Sequence, residues 1–370
     1  MKKLAFLAFA CLFAAFFTFT ASADTETPEE YKDFVDKIQD NLSGDVADRI
    51  NGDDILKDAE NLVSWDFFLS VFGKDLKEQF QKVLPFFVTL SGLVIISAAF
   101  GAIKSSISQK TSEFLSFCLT SVIAASTVGV QIGVVSAVSN WINDITTLTN
   151  AMLPVTLSLY IGGGNLQSAA VGNMGMSVFT SFSQNLLGKT VLPFSWFLIS
   201  LTIISSVTGG IELSGFINSI KKTYVTVLTF IMAIFCAILA AQSAIAGGSD
   251  SISLRAAKFV AGSAIPIVGG SVGESMKTLS SGITLMRKAF GGGGIVMVLL
   301  ITLPILLLLL LTKASFGFSS ATAELLGCKK ESKMLSDFGG IYGCLAAVVA
   351  ACSVMFIFML LLLVSSVTAF

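Results

Sequence analysis

The fold turns on the stretch Asp250–Leu311, DSISLRAAKFVAGSAIPIVGGSVGESMKTLSSGITLMRKAFGGGGIVMVLLITLPILLLLLL. It opens with two cations three positions apart, Arg255 and Lys258. An apolar run, Phe259–Val268, follows and is interrupted by Pro266. Gly269-Gly270, Gly273 and Glu274 come next, then an amphipathic linker ending in Arg287-Lys288. After Gly291–Gly294, read as a helix start or hinge, the chain enters the aliphatic run Ile295–Leu311, which carries Pro304. Only 15 uncharged residues separate Lys258 from Glu274, whereas a spanning helix needs about 20. A proline and a glycine pair inside so short a run predict a segment over 259–273 that dips into the membrane and returns. Irregular backbone at membrane depth is tolerated where protein or a water-filled cavity satisfies it. The alternative is an amphipathic helix lying on the surface between two spans.

Working outward, the rest of the chain is membrane-like. Of 370 residues, 54% are hydrophobic and 13% are charged, against about 25% charged in soluble domains. The formal net charge of −1 conceals an asymmetry. Residues 24–82 hold 16 acids and 7 bases, while Val83 onward holds 14 bases and 8 acids. An acidic piece thus precedes a mildly basic membrane body.

Lys2-Lys3, the apolar run Leu4–Phe19 and Ala21-Ser22-Ala23 predict a signal peptide over 1–23, cleaved before Asp24. An uncleaved anchor is the alternative. Residues 24–82 predict a small acidic extracytoplasmic segment of two or three amphipathic helices, with Tyr31, Phe34, Val35 and Ile38 at helical spacing. The membrane domain is expected over 83–370. Charge-free runs place firm spans near 83–103, 114–138, 191–210, 224–246, 294–312 and 341–364. Residues 151–187 are ambiguous, because Leu153-Pro154 and Gly162-Gly163-Gly164 are expected to break any continuous helix. The expected fold is all-α and polytopic. With an exported N-terminus, six spans put Lys104, Lys110, Lys221, Lys222, Lys313, Lys329, Lys330 and Lys333 in the cytoplasm.

Several chemistries are excluded. There is no histidine, which removes the commonest general base and metal ligand. The six cysteines, Cys11, Cys118, Cys236, Cys328, Cys344 and Cys352, form no CxxC and read as small apolar packers. Gly188-Lys189-Thr190 resembles the tail of a phosphate loop, yet Ser183 stands where that loop needs glycine and no strand pattern precedes it. No catalytic, cofactor-binding or metal-ligating residue is expected, and no enzyme. The spans read as free of ionisable groups, with Glu113, Asp144, Glu212 and Glu274 at their edges, which argues against a carrier built on buried carboxylates. Gly129 and Gly133 form a GxxxG pair suited to close helix approach. The polar content of Asn140–Gln184 suits either an aqueous path or hydrogen bonds between helices.

One family fits these residues. Asp250-Ser251-Ile252, Arg255-Ala256-Ala257-Lys258-Phe259, Ile265-Pro266-Ile267-Val268-Gly269-Gly270 and Glu274 resemble the signature of the stage III sporulation protein AE family. Pro154 beside Gly162-Gly163, and Pro304 in its aliphatic span, resemble it too, and the likeness covers roughly Val83–Phe370. The resemblance implies a subunit of the channel complex, feeding-tube-like and akin to secretion systems, that endospore formation requires. It would sit in the mother-cell membrane facing the forespore. Its partners would be the other stage III sporulation A proteins, stage II sporulation protein Q and the lipid bilayer, with no nucleic acid. The resemblance carries no catalytic residue and no cofactor. The alternative is a permease-type subunit of a transporter driven by a separate ATPase.

Overall fold

The computed structural model describes residues 65–103, 108–162, 166–208, most of 215–241 and 269–366, the last stretch by its backbone alone up to residue 293. Every regular element among the described residues is helical. In chain order they are α1 (Trp65–Ile103), α2 (Gln109–Gly162), α3 (Leu166–Leu186), a π turn (Leu187–Val191), α4 (Leu192–Thr208), α5 (residues 215–231), α6 (Gly269–Leu325) and α7 (Lys329–Ser366). Among the described residues five helical stretches are long and apolar enough to cross a membrane: Val71–Ala102, Gln109–Pro154, Ala170–Val207, Gly294–Leu325 and Lys329–Ile357. The span expected near 224–246 lies partly outside the described residues.

Two expected helix breaks are absent. α2 runs 54 residues, with Pro154 inside it, and stops at Gly162. A proline removes one N–H and crowds the carbonyl four residues earlier. A helix this long keeps its other hydrogen bonds and packs against α3 and other helices, so a single lost bond does not end it. α6 likewise runs 57 residues, about 86 Å at 1.5 Å per residue. It passes without interruption through Gly291–Gly294 and Pro304, so the glycine run is helix interior and not a helix start. Gly162 is the last described residue of α2, and Gly163 and Gly164 lie outside the described residues. Residues 151–187 are thus the end of α2 followed by α3. α1 begins at Trp65 and passes through Lys82-Val83 unbroken.

The segments 1–23 and 24–64 lie outside the described residues. So does most of the expected re-entrant stretch, 259–268, with its bend at Pro266. Gly269 and Gly270 open α6, and Glu274 stands in its second turn.

α6 and α7 form a hairpin around a turn at Leu326-Gly327-Cys328, where Gly327 takes φ +80°. A left-handed residue is a common way to end a helix, and glycine adopts it without Cβ strain. The Cys328 N–H donates to the Ala323 carbonyl at 2.8 Å and the Gly327 N–H to Glu324 at 3.0 Å, satisfying carbonyls that the end of α6 leaves open. This hairpin is the centre of the molecule. Its most apolar windows are 61% and 67% buried, against 22–39% for the other three spanning stretches. Among the described residues α7 exposes no large hydrophobic side chain. Most of the exposed ones belong to the outer helices, such as Val88 and Ile95 on α1, Phe114 and Ile132 on α2, and Phe230 on α5, while α6 and its turn expose Leu310, Phe318, Leu325 and Leu326. Apolar side chains that face outward match a hydrocarbon solvent.

The outer helices cover a particular half of the hairpin. Phe86 of α1 packs edge-on against Phe316 at 5.2 Å, Phe87 lies 6.5 Å from Phe318, and the Ser91 and Ser319 hydroxyls are 3.4 Å apart. The apolar part of α1 therefore screens the hydroxyl-rich end of α6, with Ser315, Ser319 and Ser320, and not its aliphatic run.

Candidate functional site

α7 carries buried polar groups along its length, and between them they are tied to four neighbouring helices. Glu331, in its first turn, is 5% exposed and accepts hydrogen bonds from the Ser97 hydroxyl of α1 at 3.3 Å and the Thr120 hydroxyl of α2 at 3.1 Å. Ser320 of α6 donates to the Ser332 carbonyl at 2.8 Å. Deeper along α7, Asp337 pairs with Lys221 of α5, Nζ to Oδ1 3.7 Å, and the same ammonium donates to the Asp337 carbonyl at 3.3 Å. Toward the other end, Thr302 of α6 accepts from Trp141 Nε1 of α2 and from the Ser353 hydroxyl of α7, both at 3.2 Å. Helix association among apolar tails has little hydrophobic drive, so hydrogen bonds and close packing carry more of it.

Three glycines make the close packing possible. A Cβ at Gly339 would stand 3.5 Å from Phe316 Cβ and 3.6 Å from the Lys313 carbonyl. At Gly343 it would stand 3.0 Å from Lys313 Nζ. At Gly340 it would stand 2.5 Å from Lys221 Nζ, in the space that the ammonium occupies to reach Asp337. Gly339 and Gly343 thus face α6 and Gly340 faces α5, so one short motif serves two interfaces. Beside it, Tyr342 stacks on Phe316 at 5.3 Å and Phe194 of α4 stacks on Tyr224 at 4.1 Å. The Tyr342, Tyr224 and Thr312 hydroxyls are buried without a hydrogen-bond partner among the described residues.

Sequence reasoning put the close helix contact at Gly129 and Gly133. Neither would meet anything within 4 Å on gaining a Cβ, and both lie on the exposed face of α2. The working glycines are those of α7. Gly339-Gly340-x-x-Gly343 was the available signal. Spans free of ionisable groups do not hold either: Glu331 and Asp337 lie buried within Lys329–Ile357, and Asp144 is 5% exposed inside α2. A centrally placed helix satisfies such groups from its neighbours, which charge-free windows cannot reveal. Lys221 and Asp337 are 116 positions apart, so no local pattern links them.

The signature residues fall as follows. Arg255, Lys258, Phe259 and Pro266 lie outside the described residues. Gly269, Gly270 and Glu274 are on the opening turns of α6. Pro304 is half-buried in α6 and Pro154 is exposed in α2. Pro154 and Pro304 stand on different helices, α2 and α6. The last of the glycine run, Gly294, has a packing role, since a Cβ there would stand 2.7 Å from Met152 Cε and 3.5 Å from Leu360 Cδ1. Gly188-Lys189-Thr190 forms the π turn between α3 and α4 and follows helix, not strand. Among the described residues no group of three or more His, Cys, Asp or Glu is placed to hold a metal, and Cys118, Cys344 and Cys352 are free thiols.

These features define a polytopic helical membrane protein with a polar hairpin at its centre. The family model described as stage III sporulation protein AE matches residues 53–367, and the chain belongs to that family. Stage III sporulation protein AE of Bacillus subtilis (strain 168) is 27% identical over 150 residues, 40% of this chain. That match spans 38% of the relative's length. No solved structure matches the chain. The protein is a multi-pass membrane protein of a sporulation family, which is not among the known enzyme families.

Proposed function

We propose that the chain is an integral subunit of the mother-cell-to-forespore channel complex required for endospore formation, seated in the mother-cell membrane that faces the forespore. The observation that carries this is membership of the sporulation family across 53–367, nearly all of the membrane body. The arrangement of charge is in keeping with such a seat. The Glu331 contacts and the Lys221–Asp337 pair gather the end of α1 and the starts of α2, α5 and α7 at one end of the bundle, with Lys110, Lys222, Lys329, Lys330 and Lys333. By the positive-inside rule that end faces the mother-cell cytoplasm. Partners are the other stage III sporulation A proteins and, across the intermembrane space, stage II sporulation protein Q.

The test is removal of the chain from a spore-forming host, with late forespore gene expression and co-purification of those proteins as readouts. Loss of expression, restored by the full chain, and recovery of the partners from detergent extracts are expected. Normal late expression without the chain would overturn the reading. Substrate-specific uptake into liposomes holding this chain and an ATPase alone would replace it with a permease.

A further inference from the structure

We propose that Glu331, Ser97 and Thr120 form a binding site for a monovalent hard cation, of which Na+ is the fitting example. The argument begins with charge. Glu331 is 5% exposed, and both hydrogen bonds it receives come from neutral hydroxyls on the same oxygen, Oε1. Among the described residues it has no ion pair. Lys329, Lys330 and Lys333 sit within two positions of it and all three are exposed. An uncompensated buried carboxylate is costly, because it loses hydration and gains no counter-charge. The start of α7 supplies only a partial positive charge.

The donor set points to the occupant. Ser97 is 3% and Thr120 is 1% exposed, and the three residues come from three helices, α1, α2 and α7. All the ligands are oxygen, the chemistry that hard cations take. Turning each hydroxyl about its C–O bond exchanges the donated hydrogen for a lone pair. The same cluster then shifts from hydrogen-bonding a carboxylate to surrounding a cation. One carboxylate balances one positive charge, so a monovalent ion leaves the site neutral where a divalent ion would not. Ser332, the next residue on α7, is paired with Ser320 of α6, their hydroxyls 3.2 Å apart. Carboxylates inside membrane helices commonly mark ion sites. Bound, the ion would clamp the end of α1 and the start of α2 to the central hairpin.

The full chain, purified in detergent in choline chloride, is titrated with NaCl at constant ionic strength. Thermal unfolding is read by a thiol-reactive dye at Cys344 and Cys352, which are 5% and 3% exposed. The expected result is a saturable rise in Tm with Na+ that disappears in Glu331→Gln. Thr120→Val, which keeps the carboxylate, weakens the apparent Na+ affinity by about tenfold through loss of one oxygen ligand. Identical melting in NaCl and choline chloride overturns the proposal, as does a Na+ response retained in Glu331→Gln. Should Glu331→Gln fail to fold, Thr120→Val and Ser97→Ala decide alone, and unchanged Na+ affinity in both overturns the site.

Discussion

Replacing Lys221 by methionine keeps most of the side-chain stem and removes the charge that Asp337 faces. At 3.7 Å the pair attracts with about 4.5 kcal/mol at an effective dielectric near 20. That gross figure is opposed by the cost of taking two charges out of water, several kcal/mol for each ion. The pair as a whole therefore contributes little, while breaking it leaves one buried charge alone. The side chains are 5% and 10% exposed, so water cannot take the partner's place. Lys221→Met is expected to cost about 3–5 kcal/mol, or about 6–10 °C in Tm at roughly 2 °C per kcal/mol for a large chain. Lys221→Met combined with Asp337→Leu is expected to recover most of that loss, because no charge is left stranded. Dye labelling of the buried Cys344 and Cys352 during heating measures all three proteins. A single variant within about 0.5 kcal/mol of wild type, or a double variant as unstable as the sum of its parts, would refute the reasoning.

Other outcomes follow from the packing. Gly294→Leu is expected to cost about 1–3 kcal/mol by overpacking against Met152 and Leu360, and Met152→Ala in the same chain should return part of it in the same melt. Gly343→Ile should displace Lys313 and separate α6 from α7, whereas Gly133→Ile, opening onto free space, should stay within about 0.5 kcal/mol; the reverse order in thermal melts would place the close interface on α2. Trp141→Phe removes the bond to Thr302 and should lower stability by about 0.5–1.5 kcal/mol, read as a shift of the denaturant midpoint.

Several features of this protein were legible in its residues. Long charge-free runs require a membrane, since no soluble core buries so many apolar side chains in windows of this length. The order Arg255, Lys258, Pro266, Gly269-Gly270, Glu274 suggested the family, and the family model matches residues 53–367. Pro154 and Gly291–Gly294 mislead for a shared physical reason. Both are local penalties of a few kcal/mol at most, and long helices packed against several neighbours absorb them. Sequence also shows which glycines are spaced for close approach, but not which face of a helix meets a neighbour. Gly129 and Gly133 have the motif without the neighbour, and Gly339, Gly340 and Gly343 have both.

Tertiary structure alone decided the centre. The last span, 341–364, reads as ordinary from sequence, with Lys329, Lys330, Lys333 and Asp337 just before it. What makes Glu331 and Asp337 stable there is not on α7. Ser97, Thr120 and Lys221 supply the partners from helices hundreds or scores of positions earlier. A hydrogen bond depends on atoms meeting within about 3 Å, and separation along the chain carries no information about that. Apolar composition thus determined that the chain lies in a membrane, while helix packing determined which charges that membrane body encloses.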